Sequence, residues 1–148
     1  MHRSLNKCKK KTNDNVYTPS DVVGECMSLV DIRQFDTLLD PFYGDGAFYT
    51  KYPAINKVNW CEVEKGIVFF EYTTKVDWII SNPPFSQLTK VLNHCAEICE
   101  KGFGLIMLCF HFLPKGLYDF SDKGFELTKI HLLKLQQWFG FSCSCRIQ

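Results

Sequence analysis

The residues best suited to chemistry lie in two short stretches. The first is Asp77-Trp78-Ile79-Ile80-Ser81-Asn82-Pro83-Pro84-Phe85-Ser86. Trp78, Ile79 and Ile80 form an apolar run too short for an independent helix and rich in strand formers, so it predicts a buried strand. Pro83 and Pro84 end that strand. Each fixes its own φ, lacks an N–H donor and pushes the residue before it towards extended backbone. Asn82 is thereby presented at a strand tip with the neighbouring carbonyls held in place, and Phe85 adds a flat aromatic face. Such a grouping suits gripping a planar group that bears an amine. The second stretch is Asp40-Pro41-Phe42-Tyr43-Gly44-Asp45-Gly46, directly after the apolar run Phe35 to Leu39. A glycine-rich turn after a strand lets backbone approach a ligand closely, and a helix start behind it offers N–H donors. It departs from the dinucleotide fingerprint Gly-x-Gly-x-x-Gly, because position 49 is Tyr.

Other elements must hold these two tips. Thr18-Pro19-Ser20-Asp21 reads as a helix start, with Thr18 as N-cap and Pro19 at the first helical position. Val22, Val23, Cys26 and Val30 then give an apolar face. Phe35 to Leu39 is the first strand and Val58 to Cys61 the second, ending at Glu62. The stretch from Glu62 to Asp77 is short for a crossover with a full helix. Ser86 is expected to cap a helix carrying Leu88, Val91, Leu92, Cys95 and Cys99 on one face, closed by Lys101-Gly102. His94 beside that face is read as exposed. Leu105 to Phe110 is a buried strand, with His111 at its end on the expected ligand side. Glu126 to Leu133 and the alternating run Phe141 to Ile147 predict a closing antiparallel hairpin, with a turn at residues 136–140.

Composition bounds the rest. The chain has 148 residues, 46% hydrophobic and 22% charged, ordinary values for a globular protein with one substantial core. No apolar run approaches the ~20 residues of a membrane span. Eight cysteines, several inside apolar patterns, fit an intracellular, reducing compartment better than a disulfide scaffold. Cys95/Cys99 and Cys143/Cys145 lack a second half at metal-ligand spacing, so buried thiols are expected rather than zinc. The net charge of +1 is uneven: residues 1–15 carry Arg3, Lys7, Lys9, Lys10 and Lys11 against Asp14 alone. A basic arm on a mildly acidic body suits a phosphate backbone, and a solvated tail would look the same. The expected organisation is a flexible arm over 1–15 and one domain over 16–148, without a separate target-recognition domain.

Asn82-Pro83-Pro84-Phe85 resembles the catalytic motif of the S-adenosylmethionine-dependent amino-methyltransferases, mainly the adenine-N6 enzymes. The Asp40 to Gly46 motif lies upstream in the family's order, with weaker matches at Tyr17-Thr18-Pro19 and Cys61-Glu62. The resemblance covers about Val16 to Phe110. It implies an α/β, Rossmann-like class I methyltransferase fold, a mostly parallel sheet with a C-terminal antiparallel hairpin, and S-adenosylmethionine as cofactor. By resemblance, Tyr17, Thr18 and Pro19 help close the cofactor pocket. Asp40 faces the methionyl ammonium, within a turn of Pro41 and Phe42 where Gly44 and Gly46 make room. Glu62, with Glu64 as its competitor, takes the ribose hydroxyls. Phe69 or Phe70 stacks on the cofactor's adenine. Val68 departs from the family, which has an acidic residue there to read the adenine amine; either a backbone group or Glu71 covers the amine, or cofactor binding is weak.

The catalytic group implied is Asn82, Pro83, Pro84 and Phe85. An adenine N6 lone pair is delocalised into the ring. Accepting both its hydrogens, by the Asn82 side-chain carbonyl and the Pro83 backbone carbonyl, favours a pyramidal, electron-rich nitrogen as the methyl arrives. Phe85 stacks on the base, and Asn82 also borders the cofactor. The polymer expected is DNA first and RNA second, with a partner subunit for target choice. A protein-glutamine methyltransferase and a non-catalytic subunit of a heteromeric enzyme share the motif and stand as alternatives.

Overall fold

The computed structural model describes residues 18–108, 122–133 and 142–147. Strands β1 (Thr37–Asp40), β2 (Lys57–Trp60), β3 (Val76–Ser81), β4 (Cys99–Leu108), β5 (Leu127–Leu132) and β6 (Ser142–Ile147) form one sheet in the order β2-β1-β3-β4-β6-β5. β1 pairs in parallel with β2 and β3, and β3 with β4. β6 inserts antiparallel between β4 and β5, which makes the closing hairpin.

Alternation along the strands divides the core into two layers. Leu39, Ile79, Phe103, Leu105 and Met107 face helix α2 (Leu88–Ile98), whose Val91, Leu92 and Cys95 are buried against them. Leu38, Trp78, Ile80 and Ile106 face the other way, onto Val22, Val23 and Cys26 of helix α1 (Ser20–Met27). α1 is too short to persist alone. Burying side chains such as Val22 and Val23, at about 1.5–3 kcal/mol each, is what holds it. β1 reaches β2, and β2 reaches β3, through 3-10 turns at Tyr49–Lys51, Val63–Lys65 and Phe69–Glu71. No α-helix lies in either crossover, as the short Glu62 to Asp77 stretch foreshadows.

Several element edges differ from the sequence reading. β1 starts at Thr37, because Phe35 sits in a turn with φ of 71° and is 74% exposed. β2 is displaced by one residue, to Lys57–Trp60. α1 begins at Ser20, and Thr18 makes no cap; its hydroxyl is used elsewhere. Gln87, not Ser86, stands at the N-cap position of α2. After the two prolines the chain makes a 3-10 turn over Phe85–Gln87 before the helix starts at Leu88. α2 ends at Ile98 and the backbone turns extended at Cys99, so Lys101 and Gly102 lie inside β4. Lys101 there pairs with Asp36 and Asp77 instead of closing a helix. Tyr17, His111, the basic arm and the turn over 136–140 lie outside the described residues.

Candidate active site at the carboxyl ends of the strands

The tips of β1 and β3 bring the two sequence motifs together. Asp40 ends β1 and is fully buried. Its Oδ1 accepts a hydrogen bond from Ser81 Oγ at 2.7 Å, and the Phe42 N–H lies 3.4 Å from the same oxygen. Its Oδ2 is buried with no hydrogen-bond partner. Burial pushes the Asp40 carboxyl up to about 7. The bonds from Ser81 and Phe42 oppose that rise, and the Glu62 and Asp45 carboxylates add to it. A carboxylate so placed is most comfortable beside a cation.

One residue beyond Ser81, the Asn82 side chain is held from the start of α1. Asn82 Nδ2 donates to Thr18 Oγ1 at 3.1 Å. Asn82 Oδ1 is buried and has no partner. Pro83 is buried, and Pro84 and Phe85 are half-buried. Phe85 packs on the layer containing Trp78 and Ile80. From below, the buried Tyr52 hydroxyl donates to the carbonyl of Ile80. Buried polar groups are almost always paired, so two unpaired acceptors at neighbouring strand tips call for an explanation.

The glycine turn closes the site's other side. Cys61 N–H donates to Asp40 O and Tyr43 N–H to Cys61 O, so the ladder continues past the strands. Gly46 has φ of +84°, and a Cβ there would lie 2.8 Å from Tyr43 Oη, so only glycine fits this turn. The Gly44 N–H donates to Glu62 Oε2 at 2.8 Å, and Glu64 N–H to Glu62 Oε1 at 3.3 Å. Glu62 is thus fixed at the turn, whereas the Glu64 side chain is exposed. Phe69 is 2% exposed, its ring edge-on to Phe42 and His94. Phe70 is half-buried, with Lys90 Nζ 4.0 Å from its centroid. Val68 is half-buried and Glu71 exposed. His94 is not exposed as expected: its side chain is 13% accessible and Nε2 lies 2.9 Å from the Tyr72 carbonyl.

No protein-family model matches the chain, and no curated protein matches it. Solved structures do. TrmN from Thermus thermophilus superposes with a TM-score of 0.62 at 16% identity, over 87% of this chain and 48% of that one. The 23S rRNA methyltransferase ErmE gives 0.65 at 12%, over 88% and 68%. Magnesium protoporphyrin IX methyltransferase from Synechocystis, solved with S-adenosylmethionine bound, gives 0.56 at 11%, over 86% and 76%. The fold is that of the class I methyltransferases. The chain spans about half the length of TrmN.

Asp40, Glu62 and Asn82 lie at or just past the carboxyl ends of β1, β2 and β3, the side on which open α/β sheets bind ligands. The donor set fits the cofactor the resemblance implies. S-adenosylmethionine carries an ammonium and a sulfonium, and the two buried side-chain atoms without a partner at these tips, Asp40 Oδ2 and Asn82 Oδ1, are oxygens. A cavity of about 700 Å³ lies instead at the opposite, amino ends of the strands, lined by Asp36, Trp78, Lys101 and Phe125 among others. Three of its polar side chains, Asp36, Trp78 and Lys101, already bond one another. Two site residues escaped the sequence reading. Ser81 stood beside Asn82 in the motif but read only as strand; Tyr52 had no local signal at all.

Proposed function

We propose that this chain is an S-adenosylmethionine-dependent methyltransferase acting on the N6 amine of adenine in a nucleic acid. The observation that carries the reading is the pair of buried, partnerless acceptors, Asp40 Oδ2 and Asn82 Oδ1, at adjacent strand tips. One suits a cofactor ammonium and the other a substrate amine. Asp40 would hold the ammonium, Glu62 the ribose hydroxyls, and the turn from Pro41 to Gly46 the space between them. Phe70, the more open of the two phenylalanines, would meet the cofactor's adenine. Bound S-adenosylmethionine supplies an electrophilic methyl group. The protein's part is alignment and charge stabilisation. Asn82 Oδ1 and the Pro83 carbonyl accept the amine hydrogens, and these bonds strengthen as the nitrogen becomes positive. Phe85 stacks on the base. A target within a duplex must first be flipped out, at a few kcal/mol.

DNA is the favoured polymer, on the Asp-Pro-Phe form of the cofactor turn; ErmE, whose name gives 23S rRNA as its target, keeps RNA in view. Target choice would fall to a partner subunit. The buried thiols of Cys26, Cys61, Cys95 and Cys99 suit a reducing compartment. The test is transfer of labelled methyl from S-adenosylmethionine to single- and double-stranded DNA, RNA and a protein extract, with each product digested and identified. Asn82→Ala should lower kcat by about 10²–10³-fold, the scale of losing one transition-state acceptor or donor. Methyladenine made equally well by that variant would defeat the mechanism. Label on protein glutamine would replace the substrate.

A further inference from the structure

An asparagine amide is a donor on one side and an acceptor on the other. Which side faces a ligand is decided by what holds the opposite side. In this chain the holder is Thr18, sixty-four residues away in sequence, whose Oγ1 takes the hydrogen bond from Asn82 Nδ2 at 3.1 Å. Thr18 is itself buried, just ahead of α1, and does not cap that helix. Asn82 Oδ1 is left buried and unbonded. Ser81 next door fixes the backbone of the tip through Asp40 Oδ1, and Tyr52 does so through the Ile80 carbonyl. Backbone and side chain are therefore set by separate contacts.

We propose that Thr18 is a specificity-determining positioning residue: by accepting from Asn82 Nδ2 it favours the amide orientation that leaves Oδ1 for a donor on the ligand, so that the site takes an amine in preference to a carbonyl. The inference rests on the methyltransferase reading for the identity of the ligand, not for the contact itself. A hydroxyl group can also donate, so Thr18 alone would tolerate a flipped amide. A flip would turn Nδ2 outward, to face the amine hydrogens of adenine donor to donor. With Thr18 accepting, that arrangement is disfavoured, and a base carrying a carbonyl at the same position meets an unpaired oxygen opposite its own. Like-polarity contacts between buried groups are among the stronger sources of discrimination, since each leaves a group without a partner.

Thr18→Val keeps the shape and removes the hydroxyl; Thr18→Ser keeps the hydroxyl. Methyl transfer would be measured on a single-stranded adenine-containing oligonucleotide, with the same oligonucleotide carrying hypoxanthine as competitor. Wild type should be barely inhibited by hypoxanthine. In Thr18→Val, kcat should fall about tenfold with KM little changed, and inhibition by hypoxanthine should rise by a similar factor. Thr18→Ser should restore both. To separate this effect from a loosened fold, the Asn82 side-chain NH2 resonances are followed by ¹⁵N NMR in all three proteins without ligand. They should shift in Thr18→Val and return in Thr18→Ser. Unchanged resonances and unchanged competition in Thr18→Val overturn the inference. Wild type that methylates nothing overturns the methyltransferase reading, while the resonances still decide whether Thr18 holds the amide.

Discussion

Strands β1 and β3 lie side by side, and each carries polar groups at both ends, yet the two ends behave in opposite ways. At the amino ends, Asp36 and Asp77 are saturated. Asp36 Oδ2 accepts from Trp78 Nε1 and the Arg33 N–H, both at 2.9 Å, and Oδ1 accepts from Lys101 at 2.5 Å. Asp77 Oδ2 accepts from the Thr37 N–H at 2.8 Å and from its hydroxyl at 3.0 Å, and Lys101 lies 3.2 Å from Oδ1. Burial alone would raise both carboxyls, but these donors outweigh it and hold both below the usual carboxylate range. At the carboxyl ends, Asp40 has no cation and keeps one oxygen unpaired, so burial wins and lifts it to about 7. A saturated network ties strands together. At the carboxyl end two acceptors on adjacent tips lack partners; beside the amino-end carboxylates only Asn56 Oδ1, among the buried side-chain atoms described, lacks one. The cavity of about 700 Å³ lies over the amino end, where these carboxylates are paired.

The largest effect should come from breaking the saturated end. Asp36→Ala strands the buried Trp78 N–H and removes one partner of Lys101, and should cost about 2–3 kcal/mol in urea unfolding at pH 7. Its pH signature has a definite sign. Carboxyls held low contribute stability that is full above the ordinary carboxylate pKa and lost as pH falls through their lowered values. The variant should therefore unfold with a shallower acid limb than wild type. An unchanged acid limb would mean that Asp36 does not staple the strands.

The open end should respond in the reverse direction. A carboxyl raised to about 7 favours the folded state below its unfolded pKa, and that contribution is lost as pH rises through 7. By pH 8 the buried charge costs about 4 kcal/mol against an unfolded chain. Asp40→Asn removes the charge but leaves an amide hydrogen without a partner, so the net gain should be about 2 kcal/mol. Without ligand, Asp40→Asn should melt above wild type at pH 8 and lose that margin by pH 5, while its S-adenosylmethionine affinity by calorimetry falls at least tenfold. A destabilised variant at pH 8 would mean that Asp40 is already satisfied, and the contrast between the two ends would collapse.

The two ends were not equally legible in the sequence. Asp40-Pro41-Phe42 and Asn82-Pro83-Pro84 announced the open end because prolines and glycines write backbone geometry locally. The hairpin was legible through a different local signal, period-two alternation. The staple was not. Lys101 meets Asp36 across sixty-five residues, and its neighbour Gly102 reads as a helix stop until α2 is seen to run straight into β4. Thr18 failed in an instructive way. Ahead of Pro19 it has the form of an N-cap, but a threonine hydroxyl makes the contact that tertiary packing brings to it, and here that is Asn82.

The same chemical change made once at each end gives the finest comparison. Thr37 at the amino end of β1 resembles Thr18 in that its hydroxyl holds an acidic or amide side chain on β3 or just beyond it. Its Oγ1 donates to Asp77 Oδ2 and accepts from the Asp77 N–H at 2.9 Å. Thr37→Val should cost about 1 kcal/mol of stability, the value of a modest internal hydrogen bond, and leave S-adenosylmethionine binding and kcat unchanged. Ser81 lies four residues beyond Asp77 along β3, roughly 13 Å at strand rise, far enough for effects at the two tips to add independently. Unfolding followed by circular dichroism and methyl transfer on the same preparation would read both quantities. Loss of kcat in Thr37→Val beyond its loss of stability would mean that the staple reaches the site through β1 and β3, and that the two ends work as one network.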